Sequence, residues 1–317
     1  MKIIKINILF TAICLFALGA MFVATPASAI TVSPVRIEVS GNPGQTIQGN
    51  LILLNELNTP QKMYSSFANF EARGTTGTPY FTPATQGLGI WITVPSEVNL
   101  QPGEQKDIPY SIAIPSTAPA GGNYAAIFWS TTPPAGDNQV AMSSRTGILV
   151  LLTVNGNINV SGALSGFKVN AGILSSLPVK FQYSFGNSGN DRIDPEGNIT
   201  IKNLGLWTSA TVNANQTQGN VLPNSVRVFD PVWGNDQAKT GFFGMVGREW
   251  KDFHFGIYTA KLSLDYGKDK TATANTSFFV FPWQLLLVVI IVLLIVACLV
   301  VMVVKKWDIW IIKQARK

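Results

Sequence analysis

The run LLLVVIIVLLIVACLVVMVV, from Leu285 to Val304, holds twenty residues without a single charge. As a helix rising about 1.5 Å per residue it reaches about 30 Å, the hydrocarbon thickness of a bilayer, so a transmembrane helix is expected over 282–304. Trp283 marks one edge of the span, and Lys305, Lys306 and Trp307 mark the other. Aromatic side chains favour the headgroup level and lysines stay on the cytoplasmic side, which makes 305–317 a basic cytoplasmic tail. Trp307, Trp310 and Ile311 fall at helical spacing in that tail, as they would in an amphipathic extension on the inner surface.

At the other end, Lys2 and Lys5 precede an apolar run, Ile6 to Val23, that closes on Ala27-Ser28-Ala29. Charged, apolar and small-residue regions in that order describe a secretory signal peptide over 1–29. The expected layout is a single-pass protein of the cell membrane, with residues 30–281 extracellular or periplasmic. Of the 23 Lys and Arg, two lie in the leader and five in the tail, and of the 17 Asp and Glu only Asp308 lies outside the exported part. The exported part is therefore neutral, and the formal charge of +6 belongs to targeting and anchoring segments. It gives no support for nucleic-acid binding.

Both cysteines, Cys14 and Cys298, fall in the apolar end segments, so the exported part has no disulfide and depends on its cores. Its length suits two domains. VKFQYSF, Val179 to Phe185, alternates apolar and polar with the period of a half-buried strand. The same alternation recurs through Ile108, Tyr110, Ile112 and Ile114, through Tyr258 to Tyr266, and through Val35, Ile37 and Val39. Pro43-Gly44 and Pro102-Gly103 carry type II turn chemistry, and GILVLLTV, Gly147 to Val154, suits a central strand. No segment before the span shows a convincing helical period. The expectation is an all-β exported part: an immunoglobulin-like sandwich over 30–155, a Gly/Ser/Asn-rich linker over 156–172, and a second sandwich over 173–281.

Catalytic chemistry is sparse. His254 is the only histidine, which excludes zinc sites built from His and Cys, and no nucleophile elbow accompanies it. Phosphate-binding glycine motifs are absent too. Asp191, Asp194 and Glu196 form the densest acidic group; it suits a turn better than a calcium loop, because its spacing is not that of an EF-hand. Neither an enzyme nor a cofactor is expected, the alternative being a hydrolase that uses two carboxylates from different strands. The loop Thr131 to Ser144 is a second candidate for binding. The candidate contact group is Phe242, Phe243, Met245 and Trp250, an apolar stretch between glycines that suits either a protein or bilayer contact or packing on the second core.

PVRIEVSGNPGQT (Pro34 to Thr46), LILLN (Leu51 to Asn55), VNLQPGEQ (Val98 to Gln105) and IPSTAPAGGNYAAI (Ile114 to Ile127) resemble the WxL-interacting protein family. The resemblance implies a peptidoglycan-binding immunoglobulin-like domain, a second such domain that binds a partner surface protein, and a membrane helix. The function expected is therefore binding or scaffolding at the cell surface, with partner capture by β-strand addition as the alternative.

Overall fold

The structure is a computed structural model that describes residues 29–134, 145–235 and 241–315. The expected signal peptide, Ala29 excepted, lies outside the described residues, as does most of the loop Thr131 to Ser144.

The first half is a two-sheet sandwich. One sheet orders β1 (Ile30–Ser33), β3 (Thr46–Asn55), β8 (Gln105–Ala113) and β6 (Ile92–Thr93). The other orders β2 (Arg36–Gly41), β10 (Arg145–Val154), β9 (Gly121–Ser130), β4 (Gln61–Ala72) and β5 (Pro79–Pro83), with β7 (Glu97–Leu100) also paired to β4. A single turn of helix, α1 (Leu88–Trp91), leads into β6. Leu51, Leu53, Ile108 and Ile112 of one sheet meet Ile127, Trp129, Val150 and Leu152 of the other in one core. The alternation in β8 is that of a strand with one wet face.

β9 and β10 read instead as almost unbroken apolar runs because both of their faces are covered. Ala126 and Phe128 pack on the outer side with Ala68, Phe81 and Leu149. Pro109 pairs with Asn50 of β3, while β6 reaches β8 only at Ser111 and Ile112, so the missing N–H faces an open edge. Gly44 and Gly103 take φ of 84° and 70°, as the Pro-Gly turns require.

The second half is another sandwich. β11 (Gly162–Val169), β13 (Val179–Asn187) and β16 (Ser225–Phe229) form one sheet, with β17 (Val232–Trp233) on β13. The other sheet orders β12 (Ile173–Leu174), β19 (Thr271–Val280), β18 (Gly256–Asp265), β14 (Glu196–Asn203) and β15 (Trp207–Asn213). Val179, Phe181, Tyr183 and Phe185 point into a core shared with Ile199, Ile201, Leu262 and Phe278, and the Tyr183 hydroxyl donates to the Ala214 carbonyl at 3.2 Å. The two halves thus form the pair of immunoglobulin-like β-sandwiches expected.

Two expectations need correcting. The stretch 156–172, expected as linker, contains β11, which pairs antiparallel with β13. Its alternation is interrupted by a register shift between Ser165 and Lys168, with Gly166 at φ 68°, so Leu164, Phe167 and Val169 reach the core out of simple period. Phe242–Lys251, expected as loop or strand, is a helix, α2. Three glycines in and beside it lower its intrinsic propensity and hid it. Finally α3, Trp283–Ala315, runs unbroken through the expected tail, and Trp283–Trp307 is the one stretch among the described residues long and apolar enough to cross a membrane.

Candidate functional site

Three regions among the described residues combine side chains in ways a plain sandwich does not need. The first is a groove on the first sandwich, where β6 parts from β8. It is an open groove of about 700 Å³, with Gln48, Asn50, Thr93 and Ser111 among its walls and Pro95 and Pro109 at the edge. β3 presents Gln48 and Asn50 outward because Ile47, Leu51 and Leu53 turn inward. Gly49 makes room for the tyrosine: a Cβ there would lie 2.5 Å from the Tyr110 hydroxyl. No charged side chain lines this groove. Amides and hydroxyls are the side-chain donors and acceptors on this outward face, while the Tyr110 ring lies in the core on the opposite face of the sheet.

The second region is the junction of the two sandwiches. Glu38 on β2 holds Arg36 at 2.8 Å and Arg192 of the second sandwich at 3.2 Å, and it accepts from Asn220 Nδ2 at 3.2 Å. Arg192 also donates to Thr153 Oγ1 at 2.9 Å, and that hydroxyl donates to Asp191 Oδ2 at 2.9 Å. Burial, then the neighbouring Asp191 carboxylate, pushes the Tyr124 hydroxyl well above its ordinary value. Backbone joins in: Gly122 N–H donates to Asn190 O at 2.8 Å, and Val228 N–H donates to Thr75 O at 2.7 Å.

Beside these contacts lies a small cleft of about 90 Å³ floored by Phe70, Leu149 and Leu151, walled by Leu222 and Val226, and edged by Arg36 and Arg227. The Arg227 guanidinium fills the space that Cβ atoms on Gly77 and Gly219 would need, 2.5 and 2.4 Å away.

The third region is α2. Gly241 opens it at φ 81°, Arg248 and Lys251 occupy its last turn where cations suit the helix dipole, and Asp252 N–H returns to Arg248 O at 3.0 Å. Glu249, 1% exposed, accepts from the Leu285 N–H at 2.6 Å, which fastens α2 to the start of α3. Burial holds its carboxyl above the ordinary range against the opposing pull of that N–H.

The residues singled out in the sequence sort unevenly among these regions. Phe242, Phe243, Met245 and Trp250 all lie on α2, where Phe242 meets Phe243 at 5.4 Å and Trp283 at 6.3 Å between ring centroids. Phe243 and Trp250 point away from the protein, 83% and 72% exposed, and Met245 Sδ accepts from Arg248. Trp283 is the first residue of α3, and Lys305, Lys306 and Trp307 stand on the same helix some 22 to 24 positions on. Asp191 is tied into the junction, Asp194 accepts from Asn215 at 2.9 Å, and Glu196 begins β14. Among the described residues no three of His, Cys, Asp or Glu converge as a metal ion would require. His254 stacks edge-on against Trp233 at 4.9 Å.

The groove and the junction were not anticipated. Arg36 and Glu38 read as ordinary outward residues of a strand, and the partners of Glu38 lie 154 and 182 positions away. The one trace in the sequence is the unbroken apolar run Gly147 to Val154, read as a central strand, which became β10.

No protein-family model matches the chain, and no curated protein matches it. Among solved structures it is similar to the class 5 fimbriae chaperone CfaA, at 12% identity and a TM-score of 0.39 over 78% of this chain and 99% of that one. It is similar to the E. coli chaperone DraB, at 13% identity and a TM-score of 0.34 over 80% of this chain and 97% of that one. A third is the CsuC-CsuE chaperone-tip adhesion subunit pre-assembly complex of Acinetobacter baumannii, at 12% identity and a TM-score of 0.35 over 66% of this chain and 91% of that one. Likeness at this level is one of fold and does not extend to what those proteins bind.

Proposed function

We propose that this chain is a membrane-anchored, non-catalytic binding protein of the cell surface, whose first sandwich associates with cell-wall peptidoglycan and whose inter-sandwich cleft receives a partner surface protein. The observation that carries this reading is the groove of the first sandwich: Gln48, Asn50, Thr93 and Ser111 supply amides and hydroxyls, which match the dense hydroxyls and acetamido groups of a glycan strand. The likeness of Pro34 to Thr46 and Val98 to Gln105 to WxL-interacting proteins supports the same assignment, and α3 supplies the anchor, with its Lys305–Lys306 end in the cytoplasm.

Co-sedimentation of the full chain in detergent with isolated peptidoglycan tests this. Saturable pelleting is expected, reduced several-fold by Gln48→Ala with Asn50→Ala. Absence of pelleting by folded protein, or pelleting indifferent to those two substitutions, removes the groove from the wall-binding role.

A second reading, capture of a partner by strand addition, is favoured by one feature. β15 is the last strand of its sheet, and its sequence WTSATVN carries neither a charge nor a proline, the usual guards of an open edge. Thr211→Pro on that edge abolishes partner cross-linking on cells if the strand is the capture site and leaves it unchanged if the cleft is.

A further inference from the structure

Hairpin tips are ordinarily polar, because they face water and favour Asn, Asp, Ser and Gly. The turn between β14 and β15 is Leu204-Gly205-Leu206, and Trp207 follows it as the first residue of β15. Leu204 and Gly205 take φ of 50° and 72°, and Leu206 and Trp207 are 70% and 64% exposed. The tip is not isolated. Leu204 N–H donates to Ile257 O at 2.9 Å, and Asn203 Nδ2 donates to Phe255 O at 3.1 Å, so it is fixed beside a second exposed apolar segment. Phe255 in turn lies 6.2 Å from Phe281, two residues before α3 begins. From the other side, the bond from Leu285 N–H to Glu249 brings in α2, with Phe243 and Trp250 turned outward. Three separate stretches of chain thus present aromatic and leucine side chains around the point where the apolar helix leaves the sandwich.

We propose that this pole of the second sandwich is seated in the lipid interface on the exported side, with Phe243, Trp250, Leu206 and Trp207 among the headgroups and upper acyl chains. The proposal rests on α3 as a membrane span. The occupant follows from position: α3 starts beside the patch, joined to α2 through Glu249 and Leu285 and to Phe255 through Phe281, so a span that begins there brings the bilayer to the level of these side chains. It follows also from composition, since aromatic rings are the side chains that settle at a membrane interface, and α2 adds Arg248 and Lys251 as partners for lipid phosphates. An amphipathic helix free in water would turn its apolar residues inward. α2 instead keeps Glu249 inside and Phe243, Gly247 and Trp250, at i, i+4 and i+7, outside. The span then does more than tether the exported part: it seats the second sandwich against the membrane and fixes the height of the first.

The test is tryptophan quenching in the full chain, reconstituted in phosphatidylcholine vesicles with or without bromine near the glycerol end of the acyl chains. Comparison with Trp207→Phe, Trp250→Phe, Trp283→Phe and Trp307→Phe assigns the quenched emission. The expected result is loss of a quenched component in each of the four, with emission from Trp129, buried in the first core, unquenched throughout. Quenching of Trp283 and Trp307 without Trp207 and Trp250 overturns the seating and leaves the span intact. Absence of quenching at all four overturns both. Trp207 and Trp250 shielded from aqueous iodide yet unquenched by the brominated lipid assigns the pole to a protein neighbour and also overturns the proposal.

Discussion

β14 runs from Glu196, beside the first sandwich, to Asn203, beside the root of α3, and the second sandwich meets its surroundings differently at the two ends of that strand. At the Glu196 end the contacts are directional: Glu38 with Arg36 and Arg192, Thr153 with Asp191, and backbone N–H groups brought close through Gly121 and Gly122. At the Asn203 end they are non-directional, a collar of Leu206, Trp207, Phe243 and Trp250 left exposed among the described residues. Hydrogen bonds and ion pairs demand particular angles and so set one orientation between the sandwiches. Apolar burial depends on area and fixes depth while leaving rotation free.

That contrast can be broken most severely at Gly121. It holds φ 122°, and a Cβ there would lie 2.3 Å from the Asn190 carbonyl oxygen, so Gly121→Val strains its own backbone and forces the sandwiches apart. A loss of about 3 kcal/mol is expected, at the upper end for a single strained residue, read as a lower denaturant midpoint with new proteolysis between 155 and 162. Trp250 quenching by lipid should not change, because the two ends share no contacts; a change would mean they are coupled. Next in size is the other end. Leu206→Asp with Phe243→Asp withdraws two side chains from lipid at about 2 kcal/mol each, read as a red shift of Trp207 emission in vesicles with the denaturant midpoint of the first sandwich unmoved.

How legible each end was follows from the same physics. Non-directional burial leaves a local trace, so Phe242, Phe243, Met245 and Trp250 stood out in the sequence even while their helix was hidden by Gly244 and Gly247. The strands of both cores were legible for the same reason, as period two in β8, β13 and β18. β11 was not, because a bulge shifts its period midway. Directional contacts leave no local trace: nothing around Glu38 announces that Arg192 and Asn220 will close on it, since those pairings exist only once two domains have folded and met. The groove of the first sandwich was invisible likewise, formed by the gap between β6 and β8 that no single strand encodes.

Glu38→Ala sharpens the comparison at smaller scale. Its arginine partners are partly exposed, so the expected cost is about 1 kcal/mol. At 1 M salt, where the screening length falls to about 3 Å, the difference between wild type and variant should shrink further. Emission from Trp207 in vesicles should show no comparable salt dependence. Thermal unfolding with and without salt checks the first, and fluorescence the second.

The smallest effect belongs to Glu249, the directional contact that joins α2 to α3 at the apolar end. Burial raises its carboxyl above the ordinary 4.5, so the docked state of α2 binds the proton more tightly than the undocked one. Below that ordinary value both states hold the proton and the contact is fully present; as pH climbs through the raised value the docked carboxyl must ionise inside the protein, and the contact weakens. Protection of the Leu285 amide from hydrogen exchange, corrected for intrinsic rate, should therefore be greatest in acid and fall as pH rises. Glu249→Gln keeps an acceptor for that N–H and removes the slope, at a cost of about 1 kcal/mol or less. Protection that increases with pH would mean the charged carboxylate at the start of α3 outweighs its burial. The membrane end would then be oriented by a directional bond, as the junction is, and the division of labour between the two ends would fail at this residue.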